Sequence, residues 1–182
     1  MIDRRSFLKV TFAASVAPSA SQSALASCAD PALAVVVDPA CADARQFSAH
    51  CASPALSAAD PSALMEVLAQ EPLRRCFGFG SDSQFFIIEQ MAAALGYRLG
   101  YHGVHDYRDG RLRHQLTGAR AALDELAQSF SLTTTQWTMA LARALPSLTR
   151  SHTRNTQVAI TSNTLCPADS GGFLVSWCLH RA

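Results

Sequence analysis

Residues 28–182 predict a single α/β domain, a layered mixed sheet of about four to six strands with helices packed on it, containing a βαβ unit and a β-hairpin. Three observations predict it. Short continuous apolar runs, Leu33-Ala34-Val35-Val36-Val37 near the front and 173–179 at the end, suit strands buried on both faces. Segments of helical period alternate with such runs. Asp109-Gly110 is a strong two-residue hairpin signal, which makes the sheet mixed rather than purely parallel.

The elements follow in order. The first strand, 33–37, stops at Asp38-Pro39, and 41–51 reads as a helix with Ala44, Phe47 and Cys51 on one side. Asp60-Pro61 pairs an N-cap with Pro at the first helical position, and the helix it opens carries Leu64, Val67 and Leu68 before Pro72 stops it. The second strand is 76–80. Ser81, Asp82 and Ser83 offer caps for a helix over 85–95, and Gly96 stands where a terminating glycine is expected. A strand over 97–107 then completes a βαβ unit across 76–105.

Turning at Asp109-Gly110 pairs Arg108 with Arg111, Tyr107 with Leu112, Asp106 with Arg113 and His105 with His114. Helices are expected over 119–130 and 135–145, the second ending at Pro146. The stretch 146–172 is polar and punctuated, with a short strand at Val158-Ala159-Ile160.

Size and composition bound the function classes. The chain has 182 residues, 49% of them apolar, and without its first 27 it keeps a usual length for one domain with its own core. Its only lysine is Lys9, so the body offers neither a Schiff-base lysine nor a P-loop lysine. Fifteen basic residues against fourteen acidic ones, without strong clustering, give no nucleic-acid footprint. Of the six cysteines, Cys28, Cys41, Cys51, Cys76, Cys166 and Cys178, none forms a CxxC or CxxxC pair. A closed zinc site or thioredoxin-type motif is therefore not indicated, and the five body cysteines read as buried or disulfide-bonded.

The first 27 residues are of another kind. Arg4-Arg5-Ser6-Phe7-Leu8-Lys9 precedes a mild apolar segment over 10–17, too short to span a membrane, and small residues close the stretch. This pattern resembles the twin-arginine family of export signals, with Asp3 where a Ser or Thr usually precedes the pair. The resemblance, carried by Arg4, Arg5, Phe7 and Leu8, implies passage through the twin-arginine translocase, cleavage by a signal peptidase and a periplasmic location. Ala24-Leu25-Ala26 admits cleavage after Ala26. Leu25-Ala26-Ser27-Cys28 also resembles a bacterial lipobox, which implies cleavage after Ser27, lipid on Cys28 and anchoring to a membrane.

Three constellations could carry chemistry. Asp169-Ser170-Gly171-Gly172 resembles the nucleophile motif of the chymotrypsin family and Ser48-Ala49-His50-Cys51 the segment with its histidine, which implies Ser170 and His50 as a catalytic pair and needs Asp106 or a neighbour to orient His50. Against it, only ten residues follow Gly172, and the intervening chain is helical in pattern. Gly80-Ser81-Asp82-Ser83 joins a strand end to a helix start, where open α/β sheets place ligands, though Asp82 and Ser83 also serve as caps. His105 and His114 are cross-strand neighbours with Cβ atoms about 5 Å apart, enough for two nitrogens on one metal, while His102 points to the opposite face. The simpler reading is a polar, solvent-facing pair beside an Asp106–Arg113 surface ion pair.

No complete nucleophile, metal or cofactor set emerges, and the sequence names no cofactor. The functional expectation is an exported, non-catalytic accessory or ligand-binding protein. The alternatives are a small periplasmic hydrolase or metal-dependent enzyme, and a subunit or maturation partner of a cofactor-containing exported enzyme.

Overall fold

The computed structural model describes residues 30–70, 72–108, 110–132, 136–150, 156–162 and 172–181. Seven strands, β1 (Leu33–Val37), β2 (Ala55–Ser57), β3 (Arg75–Gly80), β4 (Tyr97–Arg108), β5 (Arg111–Gly118), β6 (Thr156–Ser162) and β7 (Phe173–Arg181), form one mixed sheet in the order β2-β1-β3-β7-β4-β5-β6. Among the described residues five helices pack on it: α1 (Ala42–Ala49), α2 (Pro61–Leu68), α3 (Asp82–Ala94), α4 (Arg120–Leu132) and α5 (Trp137–Arg150). This is the α/β architecture expected, with more strands than the apolar runs reveal. None of the described helices is long and apolar enough to cross a membrane.

Local chemistry sets the helix ends. Asp60 caps α2 by accepting from the amides of Ser62 at 3.0 Å and Ala63 at 3.1 Å, with Pro61 in the first turn. Ser81 caps α3, so that helix starts at Asp82, three residues ahead of the apolar pattern, and Gly96 leaves it at φ 84°. The helix α5 differs from expectation by running through Pro146 to Arg150. Proline inside a helix costs ~3 kcal/mol because it withholds an N–H, here from the Ala142 carbonyl. Burial of Leu148 and Thr149 offsets this, and the Thr149 hydroxyl donates back to the Leu145 carbonyl at 2.8 Å.

The predicted βαβ unit is present in split form. β3 and β4 run in the same direction with α3 between them in the chain, but β7 lies between them in the sheet, antiparallel to both. Residues Leu174 to His180 of β7 are all buried, which explains why that strand reads as a continuous apolar run. β2 went unforeseen because it is three residues long and lies at the sheet edge.

Two cores result, one on each face. Phe47 of α1, Phe77, Phe79, Tyr101, Leu112 and Leu116 of the strands, and Phe130 and Trp137 of α4 and α5 fill one. Leu64 and Leu68 of α2, Phe85 and Ile88 of α3, and Val36 and Trp177 of the strands fill the other. Gly78 lies opposite Trp177 in the β3–β7 ladder, and a Cβ built there would fall inside the Trp177 indole. Gly78→Ala is therefore expected to cost ~1–3 kcal/mol through overpacking. An unchanged denaturation midpoint would remove this account of the centre of the sheet.

Candidate functional site

The β4–β5 ladder forms in the register expected from Asp109-Gly110, with His105 opposite His114 and Asp106 opposite Arg113. The environment of the histidines departs from the solvent-facing reading. His105 is 0% exposed and His114 is 1%. Helices α4 and α5 close over this face: the Phe130 ring stacks on His114 with centroids 4.2 Å apart, and Trp137 lies 4.7 Å from His105. His102 occupies the opposite face as expected, against Phe85 of α3. Asp106 lies 3.9 Å from the Arg108 guanidinium.

The buried imidazoles belong to a chain of hydrogen bonds whose direction follows from its end. The Leu112 carbonyl can only accept, so the Ser162 hydroxyl donates to it, at 3.2 Å. Ser162 then accepts from His114 Nε2–H at 3.3 Å, which leaves His114 Nδ1 as an acceptor for His105 Nδ1–H at 2.8 Å. His105 Nε2 in turn accepts from Ser176 at 2.8 Å, and Ser176 accepts from the Tyr101 phenol at 3.0 Å. Every group is satisfied with both imidazoles neutral. Gly103 makes the room, since a Cβ there would lie 2.5 Å from the Tyr101 hydroxyl and 2.6 Å from Ser176 Oγ.

Electrostatics agree with that protonation pattern. Burial, reinforced by the neighbouring His114 and His102, holds His105 well below the usual imidazole range, and burial pushes His114 down to about 3. Burial also raises the Tyr101 phenol. Ser176 and His105 are at the distance of a nucleophile and its base, yet both are 0% exposed, so the pair has no face open to a substrate. As metal ligands the histidines spend their facing nitrogens on each other, and no group of three or more metal-binding side chains occurs among the described residues.

The other candidates fall apart from this network. His50 is exposed at the C-terminal cap of α1, while Ser170 lies outside the described residues, as do Arg4, Arg5, Phe7, Leu8, Cys28 and Cys166. The loop Gly80-Ser81-Asp82-Ser83 stands at the carboxyl ends of β3 and β1, with α1 and α3 on opposite faces, the usual ligand position in such sheets. Here the space is filled: a Cβ on Gly80 would meet Asp38 Cβ at 2.8 Å and Gln84 Oε1 at 2.9 Å, and the remaining cavity is only about 10 Å³. Cys41, Cys51, Cys76 and Cys178 are free thiols, and burial pushes Cys51 up to about 12. Cys76 packs in one core and Cys178 in the other, so burial rather than a disulfide accounts for them.

Sequence reasoning missed two features. A second polar cluster joins α1, β4 and α5: Tyr107 donates to Asp43 at 3.0 Å, and Trp137 Nε1 donates to Tyr107 at 3.2 Å. Burial raises the Asp43 carboxyl, and the Tyr107 bond opposes that shift. The other is a cavity of about 270 Å³ at the amino edge of β1 and β3. Leu33, Val35, Leu145 and Pro146 give it apolar walls, and the Arg75–Asp30 ion pair, Thr149 and Arg150 line its polar side. Its residues are dispersed from 30 to 150, so no local motif could reveal it. The histidine burial did have a signal, because Leu112 and Leu116 flank His114 at period two.

No family model, no curated protein and no solved structure matches the chain.

The buried pair has a pH consequence. Depressed folded pKa values mean that the unfolded chain binds protons the fold refuses, so the stability is full above about pH 6.5 and falls with pH towards 3. His114 alone is worth about 2 kcal/mol between pH 7 and 5, and His105 acts in the same direction. Asp43 acts in the opposite sense, because burial raises its carboxyl and the unfolded chain gives up that proton first. A urea midpoint that is flat from pH 7 to 5 would show that the imidazoles are not sealed.

Proposed function

We propose that the chain is an exported bacterial protein, periplasmic or held on a membrane through Cys28, that acts as a non-catalytic accessory or ligand-binding protein. The observation that carries the ligand-binding part is the amino-edge cavity of about 270 Å³, which joins apolar walls to an ion pair and hydroxyls. A few polar groups on an apolar pocket orient a small molecule without reacting with it. The Ser176–His105 pair, which has the spacing of a nucleophile and its base, is by contrast sealed from solvent.

Export and binding are tested separately. Replacing Arg4 and Arg5 with Lys is expected to leave uncut precursor in the cytoplasm, and normal export would sink the twin-arginine assignment. The intact mass of the exported protein tells cleavage after Ala26 from acylated Cys28. For binding, a thermal-shift screen of small carboxylates and amines is expected to give hits that Leu145→Trp abolishes by filling the cavity. Ester or peptide hydrolysis lost in both Ser170→Ala and His50→Ala would overturn the non-catalytic reading in favour of a hydrolase.

A second reading, a subunit or maturation partner of a cofactor-containing exported enzyme, is favoured by the uncovered side of β5 and β6. Arg113, Gln115, Ala159 and Thr161 are exposed there, and with Phe173, 48% exposed, they line a groove of about 330 Å³. Purification of the native protein as a monomer without a partner would count against it.

A further inference from the structure

The arginines at the strand ends are concentrated on one edge of the sheet. β1, β3 and β4 point the same way, so their amino ends share that edge, and antiparallel β7 ends on it. Arg74 and Arg75 lie at the start of β3, Arg98 at the start of β4, and Arg181 at the end of β7. The ladder brings them into one row: Arg75 lies opposite His180, His180 opposite Arg98, and Tyr97 opposite Arg181. Arg150, at the end of α5, shares the cavity at this edge with Arg75. Among the described residues at the strand ends here, the one carboxylate is Asp30, and it is held by Arg75. Set back on the helices, Asp124 is held by Arg120, Glu125 accepts from the Ser147 hydroxyl at 2.7 Å three residues before Arg150, and Glu66 sits two residues inside the end of α2. Arg98 and Arg150 are exposed.

Chain connectivity adds a second observation. Residues 1–29 join the domain at Asp30, so whatever holds the front of the chain holds it from this same edge, with Cys28 two positions ahead. The β4–β5 hairpin tip, which carries Arg108 and Arg111, is at the far end of the sheet.

We infer that the amino edge is a membrane-facing surface that docks on anionic phospholipid headgroups, with Arg98 and Arg150 meeting the lipid phosphates. Guanidinium groups suit this partner because their forked donors match phosphate oxygens and carry charge at any relevant pH. An anionic surface attracts basic groups only within about a Debye length, which demands that they share one edge rather than a total charge. The inference does not depend on the ligand cavity, nor on acylation of Cys28.

Full-length Cys28→Ser protein, which has no acylation point, tests it by co-sedimentation with vesicles of phosphatidylglycerol mixed into phosphatidylcholine, or of phosphatidylcholine alone. At about fivefold per arginine, Arg98→Gln with Arg150→Gln is expected to lower partition onto the anionic vesicles roughly 25-fold, with no change on the zwitterionic ones. Arg108→Gln with Arg111→Gln removes the same charge from the opposite end and is expected to change nothing. Because residues 1–29 are common to all three proteins, the differences report the edges. Equal losses from both pairs would reduce the effect to net charge. No loss from Arg98 and Arg150, or an equal loss on phosphatidylcholine, would overturn the docking surface.

Discussion

The insertion of β7 between β3 and β4 is the constraint on which the rest of the structure depends. Remove it and the sheet divides into β2-β1-β3 and β4-β5-β6, with no strand pairing between them. Trp177 fits against Gly78 on one face of β7, and Ser176 meets His105 and Tyr101 on the other. The two cores are thus joined by a strand far in sequence from both of its neighbours. The key contacts of a sheet closed in this way are long-range, which makes its folding slow to nucleate.

The hydrogen-bonded chain in the larger core works as a register device. Its members come from four adjacent strands: Ser176 from β7, Tyr101 and His105 from β4, His114 from β5 and Ser162 from β6. A slip of one residue in any of these strands turns its member to the other face and leaves a buried imidazole or hydroxyl without a partner. A well-packed apolar set in the same place would tolerate such slips better, so the polar set confers specificity more than net stability. The one-way run of protons from Tyr101 to the Leu112 carbonyl matters here, because a network with one unsatisfied member is worse than none.

Signals confined to a short window were legible in the sequence. Asp60-Pro61 announced α2 and Asp109-Gly110 fixed the β4–β5 register to the residue, because capping and two-residue turns are local geometry. The place of β7 was not legible, since nothing in 173–181 distinguishes a central strand from an edge one beyond its apolarity. Pro146 misled because its local cost is outweighed by burial of Leu148 and Thr149 further along α5. The histidines illustrate a middle case. Their pairing followed from the turn, whereas their burial depends on Phe130 and Trp137, which arrive from helices later in the chain.

The same contrast between local and assembled features explains where a ligand can go. Open α/β sheets usually offer the crevice at the carboxyl ends of their strands. In this chain Asp38 and Gln84 fill that crevice against Gly80, and Ser81 is spent as the α3 cap. Space opens instead at the amino edge, where α5 continues past Pro146 and its last turn, with Thr149 and Arg150, borders the strand ends. Had the helix stopped at the proline, those two residues would not hold their places beside Arg75 and Asp30. The irregularity that the sequence alone presents as a stop is thus what builds the cavity, and it places that cavity on the edge through which the front of the chain joins the domain.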